Sequence, residues 1–180
     1  MKKILITGGS GSVGLSFVEN NYDKYQIHSY SRNEKSQVAL KRMFPEVNII
    51  LGSVEDRFSL QTAIKKVNPN IVIHAAALKH VDSAEKQPLE MVKSNIIGSK
   101  NIIELSIENR VPITIGISTD KACNPNNLYG YSKKIMESMF LDANNSDTLF
   151  CCSRFGNVAG SNGSVIPFWL NQNKEGKALS

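Results

Sequence analysis

The sequence predicts an α/β fold in which a doubly wound parallel sheet carries helices on both faces. Three observations lead to this prediction. Short apolar runs alternate along the chain with segments of helical periodicity. A glycine-rich turn joins the first apolar run to the first helical segment. Small and polar residues follow several of the apolar runs, and in a parallel sheet such residues gather at one edge.

The length and composition are those of a single globular domain spanning residues 1–180. Of the 180 residues, 41% are hydrophobic and 21% are charged, which allows a substantial core. The net charge of +5 comes from scattered basic residues, so we expect no nucleic-acid partner and a mild preference for phosphate-bearing ligands. Neither a membrane-length run nor a signal peptide is found. Three cysteines without metal-site spacing indicate no metal and a cytoplasmic protein.

The first strand and helix enclose the clearest ligand motif. Lys3–Thr7 forms the predicted strand, Gly8-x-x-Gly11-x-x-Gly14 the turn, and the helix continues to about Asn20. Glycine lets the backbone approach a ligand closely, and a helix N-terminus favours a pyrophosphate. The turn predicts a dinucleotide site built from Thr7, Gly8, Gly11, Ser12, Val13 and Gly14.

Five more strands and five more helices follow in alternation. The strands are predicted at 26–30, 47–51, 71–74, 112–117 and 148–153. The helices are predicted at 34–44, 58–67, 88–109, 127–145 and 165–172. Ser31 and Arg32 follow the second strand, where an arginine accommodates a ribose 2′-phosphate, so NADP is predicted over NAD. Ala75–Ala77 follow the fourth strand, where small side chains let a cofactor pass or simply pack tightly.

A tyrosine and a lysine on the fifth helix suggest an acid–base site. Tyr129 and Lys133 lie four residues apart and therefore share a helix face. None of the other tyrosines has a lysine at this spacing. A nearby ammonium group would lower the pKa of the tyrosine towards that of a useful base. The alternative is a surface helix with an incidental pair. The convergence of the other motifs at the same sheet edge favours the site.

These motifs resemble the extended short-chain dehydrogenase/reductase superfamily, whose core is Rossmann-like. More narrowly, four segments resemble the inverting UDP-N-acetylglucosamine 4,6-dehydratases of bacterial polysaccharide and flagellin-sugar biosynthesis. They are His74-Ala75-Ala76-Ala77-Leu78-Lys79-His80-Val81, Ser118-Thr119-Asp120-Lys121-Ala122, Asn124-Pro125-Asn126-Asn127-Leu128-Tyr129-Gly130, and Arg154-Phe155-Gly156-Asn157-Val158 with Gly163-Ser164-Val165-Ile166-Pro167.

The resemblance implies a mechanism and a set of residues. Tyr129, assisted by Lys133, would deprotonate the sugar C4 hydroxyl while NADP accepts the C4 hydride. Lys121 would transfer the C5 proton and Asp120 would protonate the departing C6 hydroxyl. Hydride would return to C6, and C5 would be reprotonated on the opposite face. Thr119 would hold the substrate oxygen, and Lys79 and Asn157 are expected to contact substrate. A homo-oligomer is also expected.

Two departures from the family pattern keep alternatives open. Ser53, followed by Val54, stands where family members place an adenine-contacting aspartate, although serine can still form a hydrogen bond. Family members also continue beyond residue 180, so the C-terminal substrate-binding segment is expected to be largely absent. The alternatives are a sugar-nucleotide 4-epimerase, which has no use for Asp120 and Lys121, and a catalytically inactive NADP-binding domain.

Overall fold

Six parallel strands form one sheet in the order β3-β2-β1-β4-β5-β6. The computed structural model describes residues 1–80, 85–160 and 165–174. The strands are β1 (Lys3–Thr7), β2 (Gln26–Ser31), β3 (Asn48–Leu51), β4 (Ile71–His74), β5 (Ile113–Thr119) and β6 (Leu149–Phe155). This is the strand order of doubly wound dinucleotide-binding folds, and it reverses between β1 and β4. The predicted fold class is therefore confirmed.

Helices cover both faces of the sheet. They are α1 (Ser12–Glu19), α2 (Glu34–Met43), α3 (Arg57–Val67), α4 (Pro88–Met91), α5 (Gly98–Glu108), α6 (Leu128–Asp142) and α7 (Val165–Lys174). The alternation within β1 explains the two layers. Ile4 and Ile6 enter one apolar cluster with residues of α1 and α2, whereas Leu5 enters a second cluster with residues of α3, α5 and α6.

The last two strands extend further than their apolar runs suggested. β5 and β6 remain paired at Ser118 with Arg154 and at Thr119 with Phe155. Their polar ends keep the backbone ladder although the hydrophobic pattern has stopped, which is why the sequence placed these strand ends too early. The extension brings Thr119 and Phe155 side by side at the carboxyl edge of the sheet.

The predicted continuous helix at 88–109 is interrupted by a π-helical segment, Val92–Ile97, between α4 and α5. Asn95 lies in this segment. Its side-chain Oδ1 accepts from the Leu78 N–H at 2.8 Å, and its Nδ2 donates to the Leu78 carbonyl at 2.9 Å. A widened turn of this kind often occurs near a functional site. Here the two hydrogen bonds of Asn95 connect the π-helical segment to Leu78, in the chain that follows β4.

Candidate active site

A cleft of about 700 Å³ lies along the carboxyl edge of the sheet, where the strand order reverses. Residues that follow all six strands contribute to its walls. The predicted site residues that line the cleft are Gly8, Gly11, Ser12, Val13, Gly14, Ser31, Arg32, Ser53, Val54, Ala75, Ala76, Ala77, Lys79, Thr119, Lys121, Tyr129, Lys133 and Asn157.

The glycine-rich turn is shaped by close backbone contacts. Gly8 has φ +71°, and its N–H donates to the Tyr30 carbonyl at 2.9 Å. A Cβ at Gly8 would lie 2.8 Å from the Ala76 nitrogen, and one at Gly14 would lie 2.4 Å from the Gly8 carbonyl oxygen. Side chains at these two positions would push the turn away from β4 and open its tight bend.

The N-terminus of α1 provides the features that an anion requires. Gly11 caps the helix without a side-chain hydrogen bond, and the first turn carries no acidic residue. Ser12, Val13 and Gly14 of this turn line the cleft. The positive end of the helix dipole and backbone N–H groups are therefore presented where a pyrophosphate would pass.

The far end of the cleft offers two polar features suited to an adenosine. The Ser53 hydroxyl oxygen is buried, and no partner for it is found among the described residues. The exposed Arg32 guanidinium approaches Glu55, with Nη1 and Oε1 separated by 3.5 Å. Sequence reasoning missed Glu55 because its contact with Arg32 spans two different loops.

Thr7, which is predicted to bind the cofactor, does not contribute to the lining of the cleft. Its hydroxyl accepts from the Ala76 N–H at 3.2 Å and donates to His74 Nδ1 at 2.9 Å. His74 Nε2 then donates to Ser99 Oγ at 3.0 Å, since that hydroxyl itself donates to the Asn95 carbonyl at 2.5 Å. Burial, and secondarily Lys133, lower the pKa of His74 to about 3. The imidazole is thus a neutral link between the glycine-rich turn and the π-helical segment.

Tyr129 departs from the expectation for its pKa. In the ligand-free protein its pKa lies above the ordinary value because burial disfavours the phenolate. A hydrogen bond with Thr119 opposes this shift, and the nearby Asp120 charge reinforces it. The predicted lowering by Lys133 is therefore not seen in this state, because burial and Asp120 raise the pKa and Lys133 is not among the groups that shift it.

Lys133 is held by backbone rather than by the tyrosine. Its Nζ donates to the Ile117 carbonyl at 2.7 Å, and the residue is only 3% exposed. Burial lowers its pKa to about 8, whereas weaker effects of Cys152 and Glu137 act in the opposite direction. Lys133 therefore lies next to the cleft as an amine that loses its proton more readily than an ordinary lysine.

Asp120 and Lys121 form a compact pair at the end of β5. Lys121 Nζ lies 3.3 Å from Asp120 Oδ1 and donates to Asn157 Oδ1 at 3.2 Å. The Thr119 hydroxyl donates to the same Asp120 oxygen at 2.9 Å. Hydrogen bonds from Thr119 and then Lys121 hold the pKa of the Asp120 carboxyl below its ordinary value. Although Asp120 does not contribute to the cleft lining, Lys121 connects it to the cleft wall.

A buried carboxylate on α6 holds this helix against the last strand. Glu137 follows Lys133 on the same face of α6 and is 4% exposed. Its two oxygens accept from Nε and Nη2 of Arg154, both at 2.7 Å. This bidentate pair lowers the pKa of Glu137, chiefly through the Arg154 hydrogen bond. The i, i+4 spacing of Lys133 and Glu137 was visible in the sequence, but the partner on β6 was not.

Parts of the segments singled out from the sequence lie outside the described residues, namely Val81, Gly163 and Ser164. Within residues 1–80, 85–160 and 165–174, no helix has the length and apolar character needed to cross a membrane. No group of three His, Cys, Asp or Glu side chains in those ranges could hold a metal ion.

Comparison with known proteins assigns the chain to a family. The family described as "Polysaccharide biosynthesis protein" matches residues 4–180. The chain is 44% identical to a Campylobacter jejuni UDP-N-acetylglucosamine 4,6-dehydratase (inverting), over 97% of this chain and 54% of that protein. It is 37% identical to a UDP-glucose 4-epimerase of Rickettsia canadensis, over 99% of this chain and 55% of that protein. The chain thus spans about half the length of the curated relatives it matches.

Solved structures agree with the fold. The structure of Pen from Bacillus thuringiensis superposes with a TM-score of 0.91 at 35% identity, covering 97% of this chain and 58% of that one. Structures of two Bordetella bronchiseptica enzymes and a Brucella ovis epimerase, at 20–24% identity, share the fold and contain NAD or NAD+.

Proposed function

The chain belongs to the polysaccharide biosynthesis protein family, and from this premise we propose that it is a sugar-nucleotide 4,6-dehydratase that inverts C5 of UDP-N-acetylglucosamine. The observation that carries the proposal is the Asp120–Lys121 pair beside Thr119 and Tyr129. A 4-epimerase requires an acid–base tyrosine at C4 but no second proton-transfer pair. An elimination across C5 and C6 requires such a pair.

The residues divide the chemistry between them. When bound, the nicotinamide nucleotide supplies a hydride acceptor for C4 and, once reduced, a hydride donor for C6. Tyr129 takes the proton of the C4 hydroxyl, and Thr119 holds that oxygen. The resulting 4-ketone acidifies the C5 proton, which Lys121 removes. Asp120, 3.3 Å from Lys121, delivers a proton to the departing C6 hydroxyl. One proton leaves C5 and one reaches the leaving group, so the elimination releases water. The 4-keto-6-deoxy product would then form by addition of hydride at C6 and of a solvent-derived proton at C5 on the opposite face.

The ionised state of Asp120 bears on this assignment. Its pKa is lowered in the ligand-free protein, first by Thr119 and then by Lys121. A carboxylate cannot donate a proton, so Asp120 must receive one after the substrate binds. Lys121 is the adjacent source, and Asn157 orients its ammonium group from the other side. Lys79 and Asn157 are proposed to contact the sugar nucleotide.

The cleft fits a nicotinamide dinucleotide. The fit rests on the Gly8 and Gly14 backbone, which side chains would obstruct, and on the unpartnered buried Ser53 hydroxyl among the described residues. We propose NADP as the cofactor because Arg32 and Ser31 line the end where a ribose 2′-phosphate would lie. The three free cysteines are compatible with a cytoplasmic setting.

Arg32→Ala should weaken NADP binding by roughly 10- to 100-fold and leave NAD binding nearly unchanged, because a charge-assisted contact to phosphate is lost. Isothermal titration of the cofactor-free protein with each nucleotide measures the two affinities. Arg42→Ala, in the last turn of α2, is the control. Equal losses of affinity for NADP and NAD would show that Arg32 does not contact the 2′-phosphate.

The direct test of the reaction uses UDP-N-acetylglucosamine in deuterated water, followed by NMR. A 4-keto-6-deoxy sugar with inverted C5 and deuterium at that carbon is the expected product. Formation of the C4 epimer alone would favour the 4-epimerase, which the Rickettsia relative supports. Unchanged substrate with cofactor bound would contradict both activities.

Lys121→Gln should lower the rate of dehydration by on the order of 10³-fold, because no group then accepts the C5 proton. Glutamine keeps a donor towards Asn157, so the loop retains part of its hydrogen bonding. Hydride transfer at C4, followed as cofactor reduction in a single turnover, should survive. A variant with full dehydration activity would remove Lys121 from the mechanism, and Lys134→Gln on α6 controls for charge.

A further inference from the structure

Arg32 already has an anionic partner within the protein. Its Nη1 lies 3.5 Å from Oε1 of Glu55, which is on the loop between β3 and α3. The contact involves one nitrogen and one oxygen, and the Arg32 side chain remains 56% exposed. Arginine presents five N–H donors in a planar fork. The pair therefore leaves part of the guanidinium open to the cleft.

The loop that carries Glu55 is fixed by the structure around it. Asn101 Nδ2, on α5, donates to the carbonyls of Val54 at 2.9 Å and Glu55 at 3.2 Å. Asp56 caps α3 by accepting from the Ser59 N–H at 3.0 Å. With its backbone held on both sides, Glu55 cannot move far from Arg32. The distance between the two charges therefore changes mainly through the side-chain rotamers of Glu55 and Arg32.

Glu55 also lies near a second pair of charges, Lys93 and Glu90. The pKa of Lys93 lies above its ordinary value, first because it forms a hydrogen bond with Glu90 and to a smaller extent because of Glu55. Lys93 Nζ lies 2.9 Å from Glu90 Oε1. Lys93 therefore has Glu90 as its own carboxylate partner, whereas the direct ion pair of Glu55 is with Arg32, which lines the cleft.

A phosphate bound to Arg32 would lie close to this carboxylate. With the guanidinium between them, two anionic groups would be separated by about 6 Å. With the solvent screening of a partly exposed site, taken as an effective dielectric constant of about 40 to 80, their repulsion changes an affinity by roughly three- to tenfold. The repulsion acts on a 2′-phosphate and not on a 2′-hydroxyl, which carries no charge. Glu55 therefore affects the two cofactors differently.

We propose that Glu55 is a specificity-determining residue that weakens NADP binding relative to NAD by competing with the 2′-phosphate for Arg32. The inference rests on the proposed function, in that the cleft must bind a nicotinamide nucleotide. The inference goes beyond the proposed function because it assigns to Glu55 an effect on the ratio of the NADP and NAD affinities. Arg32, at the end of β2, then favours NADP over NAD, and Glu55 reduces the size of that preference.

The test is isothermal titration of cofactor-free wild-type protein and Glu55→Gln with NADP+ and with NAD+. Glutamine preserves the shape and hydrogen-bonding capacity of the side chain while removing its charge. We expect roughly three- to tenfold tighter NADP+ binding and a change of less than about twofold for NAD+. The NADP+ gain should shrink as salt is raised from about 0.05 to 0.5 M, because screening weakens the repulsion.

Glu104→Gln provides the matched control. Glu104 pairs with Arg57 and Lys100 instead of Arg32, and its replacement changes the net charge equally. An unchanged or weaker NADP+ affinity in Glu55→Gln would overturn the inference, and weakening would identify Glu55 as a residue that orients Arg32. Should the wild type bind NAD+ while neither the wild type nor the variants bind NADP+, this inference and the assignment of NADP as the cofactor both fail, whereas the proposed reaction stands. Should the wild type bind neither nucleotide, the proposed function fails with it.

Discussion

Tyr129→Phe should lower the rate of sugar-nucleotide turnover by on the order of 10³-fold while leaving cofactor affinity nearly unchanged. The phenol is the only group assigned to take the C4 proton in the proposed reaction, and a positioned acid–base group contributes about 10²- to 10⁴-fold. Phenylalanine fills the same half-buried space against Thr119. Steady-state rates and cofactor titrations together separate loss of chemistry from loss of binding.

Tyr131→Phe is the matched control, because this tyrosine lies two residues further along α6 and is 53% exposed. It should retain wild-type turnover. If Tyr129→Phe kept more than about a tenth of the activity, another residue would have to serve as the base.

Acid should destabilise the protein through His74. Its pKa in the folded state is lowered to about 3, mainly by burial, whereas the unfolded chain protonates near 6.5. Above pH 6.5 both states are neutral, and His74 contributes no pH dependence. Between pH 6.5 and about 3, His74 is protonated in the unfolded state but remains neutral in the folded state. The free energy of unfolding should therefore fall by up to about 1.4 kcal/mol per pH unit between about pH 6 and 3.

Denaturant unfolding of wild type and His74→Asn at several pH values measures this contribution. The variant should be less stable near pH 7.5, because Ser99 loses its donor, but its stability should decline less steeply as the pH falls. The remaining slope includes His28, whose pKa is also lowered by burial. His80→Asn, at an exposed position, should keep the wild-type slope. Parallel curves for wild type and His74→Asn would show that His74 protonates without opening the fold.

Much of the fold could be predicted because its signals are local. The alternation of Ile4, Leu5 and Ile6 reports burial on both faces, and the glycines after β1 report a turn that side chains would obstruct. Boundaries were less accurate where polar residues continue a strand, as at Thr119 and Phe155, since ladder hydrogen bonds leave no hydrophobic signature. The π-helical segment was missed because the contact between Asn95 and Leu78 lies outside the helical pattern.

The candidate site shows the same division. The sequence by itself determined which residue types follow each strand and that Tyr129 and Lys133 share a helix face, because strand edges and helix periodicity follow from local backbone geometry. Only the tertiary structure decided the raised pKa of Tyr129, the Ile117 carbonyl as the partner of Lys133, and the approach of Glu55 to Arg32. Desolvation and charge pairing depend on which distant residues the fold brings together, and no local pattern encodes those distances.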